Sequence, residues 1–390
     1  MLNTLNDVLN NVDNFIWGMP LIILILFTGI LLTVRLRGLQ IRHLGKALHY
    51  VFHNEDDGEG EVTSFGALCT ALSATIGTGN IVGCATAIVA GGPGALFWMW
   101  LAAFFGMATK YAEGMLAVKY RVIAEDGHTL GGPFYYIEKG MGKNFKWLAK
   151  LFCVFGTMVG LFGIGTFTQV NGITSAVNNF FDPSNVHTIS LFGMNYSISV
   201  VVAGIIVTIC AGLVIIGGIK RISKVSEVIV PFMAVTYIGV CLIIVFTHLP
   251  QVPAAFAEIV QSAFGLKAVA GGAIGAMTVA MQKGIARGIF SNEAGLGSAP
   301  IAAAAAQTNE PVRQGLVSMT GTFIDTIIVC TMTGLAIVMT GAWDMGLEGV
   351  AVTTKAFALG LPFPAKASAF VLMMCLVFFA FTTGDVPAFA

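Results

Sequence analysis

Residues 76–83 read Ile76-Gly-Thr-Gly-Asn-Ile-Val-Gly83, IGTGNIVG, inside an apolar run from about 62 to 90 that is long enough to cross a bilayer. Glycine in a helix interior costs about 0.5–1 kcal/mol relative to alanine. Gly77, Gly79 and Gly83 therefore make this span easy to unwind near its middle. Backbone opened at membrane depth must find partners, because each unsatisfied group costs several kcal/mol there. Two readings follow. In one, the glycines allow close helix packing. In the other, a half-helix beginning near Thr78 offers N–H groups to a carboxylate, and carbonyls at the end of the preceding half, near Ser73, Thr75 and Ile76, face a cation.

Composition supports a membrane setting. Of 390 residues 56% are hydrophobic and 10% charged, with a mean hydropathy of +0.85; soluble domains carry about 25% charged residues. The apolar runs are too long for the roughly ten-residue alternating strands of a barrel. The first, Phe15 to Val34, follows Asp7 and Asp13 and no cleavage site trails it, so it reads as a retained helix and not a signal peptide. The seven cysteines lie in or beside apolar runs and read as small packers without a disulfide framework. Zero formal net charge gives no basic patch for nucleic acid.

Nine spans are expected, at about 15–35, 62–90, 95–119, 149–178, 192–218, 226–247, 268–306, 314–341 and 366–384. Basic residues cluster in alternate loops: Arg35, Arg37, Arg42 and Lys46; Lys119, Arg121, Lys139, Lys143, Lys146 and Lys150; Lys220, Arg221 and Lys224; Lys283, Arg287 and Arg313. The positive-inside rule puts these in the cytoplasm and the amino terminus outside. Span seven is also Gly-rich, with Gly271, Gly272 and Gly275 mid-span, and is expected to be an interrupted helix followed by a short re-entrant or interfacial piece. It lies five spans after the first break and enters from the opposite side. Interrupted segments at corresponding places in two halves point to a transporter site and an inverted repeat. The expected units are 1–61, an extra helix and loop; 62–248, a first five-span repeat; and 249–390, a second, incomplete repeat of three spans.

The run Gly91-Gly-Pro-Gly-Ala-Leu-Phe-Trp-Met-Trp-Leu101, with GTGNIVG before it and RGIFSNEAGLGSAPIAAAA after, resembles the alanine/glycine:cation (sodium:alanine) symporters over nearly the whole chain. The resemblance implies an all-α integral membrane protein of LeuT-type fold, with ten core helices in two inverted repeats behind one extra helix. That makes eleven spans against nine counted, so two more helices are expected after Thr383, and a chain without them would be a truncated carrier.

The resemblance also implies roles. Thr78 and Gly79 match the carboxylate-binding position of the first core helix, and Asn80 either satisfies the freed backbone or touches ligand. Ser73, Thr75 and Ile76 would lend carbonyls to Na+, with Thr382 and Thr383 completing the site. In span four, Gly165, Phe167, Thr168 and Gln169 line the expected pocket; Thr168 or Gln169 contacts substrate or else bonds between helices. In span seven, Met277, Thr278 and Gln282 are the expected contacts. Phe167 and Met277 leave a small pocket suited to alanine or glycine. Lys110 and Glu113, three apart, either brace the structure or couple protons. Asp325 is a network anchor or a coupling group. His49 and His53, beside Glu55, Asp56 and Asp57, read as a solvated loop or, at lower weight, a metal site. No nucleophile–base set argues for an enzyme, and no cofactor is implied beyond Na+ as coupling ion.

The sequence thus points to a multi-pass protein of the cell membrane that imports a small neutral amino acid with Na+ by alternating access. H+ coupling, a transport-inactive chain, and a channel with a carbonyl filter are the alternatives.

Overall fold

The computed structural model describes residues 2–16, 18–53, 58–125, 127–191, 193–266 and 272–385. Helices α1 (Leu2–Ile16) and α2 (Met19–Arg35) lead into the short α3 (Leu39–Arg42) and α4 (Leu44–Phe52). The broken span follows: α5 (Ser64–Thr75), then a π-helical turn over Gly79–Gly83 that runs into α6 (Cys84–Gly91). The two halves meet at 51°. Helix α7 (Gly94–Lys119) turns back beside them, and a small antiparallel pair, β1 (Val122–Ile123) with β2 (Thr129–Leu130), caps its end.

Next come α8 (Pro133–Met141), α9 (Lys146–Phe162) and α10 (Ile164–Phe181). The last two form one long apolar rod interrupted at Gly163, whose φ of +59° suits glycine. A hairpin of β3 (Thr188–Leu191) and β4 (Met194–Ser197) precedes α11 (Ile198–Ile215). It is anchored by Asp182, which accepts from Val186 N, His187 N and the Ser197 hydroxyl; these donors, the two backbone N–H groups first, hold its carboxyl below the ordinary range.

The second half contains α12 (Gly218–Thr247), α13 (Val252–Ala263), α14 (Ala273–Asn292), α15 (Ala299–Ala304) and α16 (Pro311–Thr322). Helix α16 passes through a π-helical stretch, Phe323–Cys330, into α17 (Thr331–Thr340). Helices α18 (Val350–Gly360) and α19 (Ala365–Asp385) complete the described chain.

Among the described residues, five helical stretches are long and apolar enough to cross a membrane, and the bent pair makes a sixth. Met19–Arg35 and Val350–Gly360 are apolar but shorter. The expected spans at α7 and α14 fall outside that set; Lys110 and Glu113 in one, and Lys283 and Arg287 in the other, lower their apolarity. Large apolar side chains on α9, α11 and α12, among them Phe155, Leu161, Ile205 and Val235, face outward. That is how a lipid-facing surface looks and is foreign to a soluble monomer. The main buried cluster gathers Leu68, Leu72, Ile76 and Ile81 around the break, with Tyr237, Phe357 and Phe379.

Three expectations are corrected. The segment at 192–218 opens with the hairpin, and its helix starts only at Ile198. Lys220, Arg221 and Lys224 belong to the first turns of α12, not to a loop. Among the described residues span seven does not break at Gly275: Gly271 lies outside them, Gly272 precedes α14 as its cap, and the helix runs unbroken from Ala273 through Gly275 to Asn292. One glycine among helix formers costs too little to stop a helix. The interruption comes at 293–298, where Glu293 is left-handed (φ +53°) and Gly295 and Gly297 have φ of +92° and +83°.

The GGPG run acts through packing. A Cβ on Gly94 would lie 2.3 Å from Ala263 N and 2.5 Å from Ala263 Cα, so α7 meets the backbone of α13 directly. Gly94→Ala is expected to cost about 1–3 kcal/mol as an overpacking change. Gly239→Ala, in α12 with nothing within 4 Å, should be neutral or stabilising. Thermal unfolding of the two variants in detergent checks this; equal melting temperatures would contradict it.

Candidate functional site at the helix break

Helix α5 ends with Ile76 in an extended conformation (φ −77°, ψ 90°), though Ile76 N still donates to Leu72 O. From there the backbone groups turn to side chains for partners. Gly77 N donates to Asn80 Oδ1 at 2.9 Å, and Thr78 N donates to Gln169 Oε1 at 3.0 Å. Ile76 O lies 3.1 Å from the Thr383 hydroxyl, whose single proton it shares with Phe379 O at 2.9 Å. Asn80 N closes the turn onto Gly77 O. Ile76 and Asn80 are fully buried and Thr78 nearly so. Gly77 is required by space: a Cβ would sit 2.4 Å from Thr383 Oγ1 and 3.0 Å from Gln169 Oε1. Gly172 of α10 is likewise pressed against Thr78, whose Cγ2 would lie 2.5 Å from an added Cβ.

Asn80 works in both directions. Its Nδ2 lies 2.7 Å from Asp325 Oδ1, 3.1 Å from Asp325 O and 3.1 Å from Ser291 Oγ. Asp325 Oδ2 accepts from the Ser291 and Thr326 hydroxyls. Asn292 Nδ2 donates to Thr326 Oγ1, and Lys110 Nζ reaches Asn292 O. The break, α14 and the middle of the α16–α17 span are thus one buried polar network. Both partners at the break are π-helical, Gly79–Gly83 and Phe323–Cys330. Such wide turns leave backbone groups off the regular ladder and often mark functional sites. Thr353 of α18 joins from a third side, donating to Ile81 O.

Beyond Asn292 the second interruption is braced. Asn292 Oδ1 accepts from Ala294 N, Glu113 Oε1 accepts from Gly297 N, and the Ser298 hydroxyl donates to Glu293. Glu113 and Asp325, on different spans, therefore hold the two broken segments from outside.

Of the expected residues, Ile76, Gly77–Asn80, Gln169, Thr383 and Asp325 meet at one point. Ser73 and Thr75, expected to lend carbonyls, lie in the last turn of α5 before Ile76; their hydroxyls bond back along the helix to Thr70 O and to Ala71 O and Leu72 O. The Thr382 hydroxyl bonds Phe379 O and lies against Met233 Sδ, away from the break. On α10, Gln169 faces the break while Phe167 is 73% exposed on the other side of the helix and Thr168 is exposed between them; Gly165 lies a turn earlier. Met277, Thr278 and Gln282 sit nine to fourteen residues before Ser291 on α14, roughly 13–21 Å along the helix. Thr278 bonds its own Ile274 O. From span seven Ser291 reaches the break, and Asn292 beside it joins the network through Thr326. Their signal lay in the sequence, as polar residues directly before the glycines that stop the helix. His49 and His53 stack at 3.9 Å; Glu55, Asp56 and Asp57 lie outside the described residues.

The arrangement can exchange partners. The Thr78 N–H is held by a neutral amide oxygen, which a carboxylate outcompetes as acceptor. The Ile76 carbonyl is held by a hydroxyl, which a cation can displace.

Removing Asn80 should expose this dependence. Asn80→Ala orphans Gly77 N–H and strips one donor from Asp325, at about 1–3 kcal/mol per unsatisfied group. Thr353→Val should cost no more than about 1 kcal/mol, since Ile81 O keeps Cys84 N as a donor. Unfolding in detergent measures both; an Asn80→Ala chain as stable as Thr353→Val would contradict the network.

Comparison with known proteins places the chain. The sodium:alanine symporter family matches residues 2–384. The Sodium/alanine symporter AgcS of Methanococcus maripaludis is 45% identical over 385 residues, covering 97% of this chain and 80% of that protein. In Bacillus subtilis, the Probable sodium/glutamine symporter GlnT is 39% identical over 381 residues, 97% of this chain and 74% of its own length. The Putative sodium/proton-dependent alanine carrier protein YrbD is 39% identical over 390 residues, 97% of this chain and 75% of its own. The relatives are transporters, not enzymes, and the chain belongs to the sodium:alanine symporter family.

Proposed function

We propose that the chain carries alanine, and similarly small neutral amino acids such as glycine, into the cell together with Na+. The observation that carries this reading is the set of exchangeable partners at one break: Thr78 N on Gln169 Oε1, and Ile76 O on Thr383 Oγ1, four residues or fewer from the Asn80–Asp325 knot. In this mechanism the substrate carboxylate takes the Thr78 N–H from Gln169, where the dipole of the following half-helix favours negative charge. The Gln169 amide then turns its NH2 to the carboxylate. Na+ takes Ile76 O and the Thr383 hydroxyl oxygen, both hard oxygen donors. Each ligand holds open backbone that the other also needs open, so their affinities rise together.

Rocking of two inverted repeats, 62–248 and 249–390, is the proposed way the site changes sides, with α5–α6 and α14–α15 as their broken first members. The basic clusters at the end of α2 through α4 and around α8 support an amino terminus outside and an inward-facing β1–β2 end. The relatives' names differ in substrate and coupling ion. Alanine is put first because the matched family and AgcS carry that name, whereas GlnT is named for glutamine. A second reading, H+ in place of Na+, is favoured by the full burial of Asp325.

Uptake of labelled alanine into proteoliposomes, under a Na+ gradient or a pH gradient, tests the proposal. Na+ should drive accumulation at constant pH. Accumulation driven by pH alone would transfer the coupling to H+. Gln169→Glu places a fixed carboxylate over Thr78 N–H, and its half-saturating alanine concentration should rise by roughly tenfold or more. An unchanged value would remove Thr78 from the carboxylate site.

A further inference from the structure

At the end of α5 remote from the break, one arginine gathers three segments. Arg121, just past the end of α7, donates from Nη1 to Ala304 O and Ala306 O at 3.0 and 2.7 Å. Its Nη2 donates to Glu59 O and Thr308 O, each at 2.7 Å. The four carbonyls belong to two strips of backbone. One, 58–62, feeds directly into α5; the other, 304–308, follows α15. These strips also pair with each other: Glu61 N and Val62 N donate to Ala305 O, Gln307 N to Val62 O, and Thr308 N to Glu59 O. Contact is backbone to backbone, since a Cβ on Gly60 would lie 2.4 Å from Ala306 O. Beneath them Val62, Ala67, Ala305 and Ala306 form a separate small apolar cluster.

A cavity of about 420 Å³ opens beside this clasp. Glu61, Lys220 and Ser298 are on its wall, and it reaches Thr70 of α5. Thr70 is six residues from Ile76, roughly 9 Å along the helix. The clasp therefore stands where a path from the cavity to the break would open, along the face of α5 that carries Ala67 and Thr70.

A guanidinium suits this role. Its planar fork can satisfy four carbonyls at once, which a lysine ammonium cannot do in the same geometry. Such charge-assisted bonds are strong while the clasp is closed. They leave the carbonyls and the arginine free to meet water when it opens, so the clasp can be undone without stranding buried groups.

We infer that Arg121 is the latch of an inner gate: it holds the half-helix α5 against the strip after α15, and releasing it lets α5 swing and open the cavity to the break. This rests on the carrier reading above, which gives the opening its use. Arg121 is a positioning residue; its acceptors are the carbonyls of Glu59, Ala304, Ala306 and Thr308, none of them a proposed ligand atom.

The test uses the full chain with Ala67→Cys as a reporter beneath the clasp. N-ethylmaleimide labelling of each cysteine is followed by peptide mass spectrometry, with and without Arg121→Ala. The native Cys241 and Cys375, both buried in the main core, report general loosening. Loss of Arg121 should speed labelling at residue 67 by roughly tenfold or more through a shift in the open population, and leave Cys241 and Cys375 protected. Arg121→Lys, which keeps the charge and loses the fork, should give an intermediate rate at residue 67. Unchanged labelling at residue 67 in both variants would overturn the latch. So would equal acceleration at all three cysteines in both variants, which marks a general stabiliser. Labelling needs no transport, so failure of the latch and failure of Na+-driven uptake are read separately.

Discussion

The structure depends on the side chain of Asn80. A helix unwound inside a membrane leaves backbone groups that lipid cannot satisfy. Asn80 answers this locally with its oxygen, which takes the Gly77 N–H, and non-locally with its nitrogen, which ties the break to Asp325 and Ser291. One amide thus makes the break tolerable and fixes which spans surround it. A carboxylate at this position could not donate, and an aliphatic side chain could do neither.

The remaining partners at the break are of a different kind. Gln169 and Thr383 come from α10 and α19, and each makes one bond to a backbone group of the break. The Asn80 knot, with its buried carboxylate and several donors, is a fixed frame. The Gln169 and Thr383 contacts are single neutral hydrogen bonds, worth about 0.5–1.5 kcal/mol net, and are the ones a ligand can replace. On the proposed reading, function follows from that difference in strength on the two sides of one turn. The Arg121 clasp extends the same division to the far end of α5, where bonds to charged donors meet a face that water can reach.

Much of this was legible in the sequence because it is local. Glycines at 77 and 79 announce a break, and the break falls between Thr75 and Gly79. A lone intramembrane aspartate announces a network, and Asp325 is in one. Gln169 stands out as a polar group in an apolar run, and Thr383 through the family resemblance. What the sequence hid is non-local or conformational. Glycine counting put the second interruption near Gly271–Gly275, whereas the helix stops where φ turns positive at Glu293, Gly295 and Gly297. The expected contacts Met277, Thr278 and Gln282 therefore lie earlier on α14 than Ser291, which bonds Asn80, and Asn292, which bonds Thr326. The resemblance puts Phe167 in the pocket with Gln169, yet two residues along a helix turn a side chain about 200° away. Arg121 read as one more loop cation, because its four acceptors are backbone carbonyls from distant strips and carry no side-chain signature.

The central claim is that one opened turn serves a carboxylate and a cation together. Equilibrium binding of labelled alanine to the purified chain, repeated across a Na+ titration with K+ keeping the ionic strength constant, tests it most directly. Alanine affinity should climb as Na+ rises and level off once the ion site fills. An affinity that stays flat across the titration would contradict a shared break.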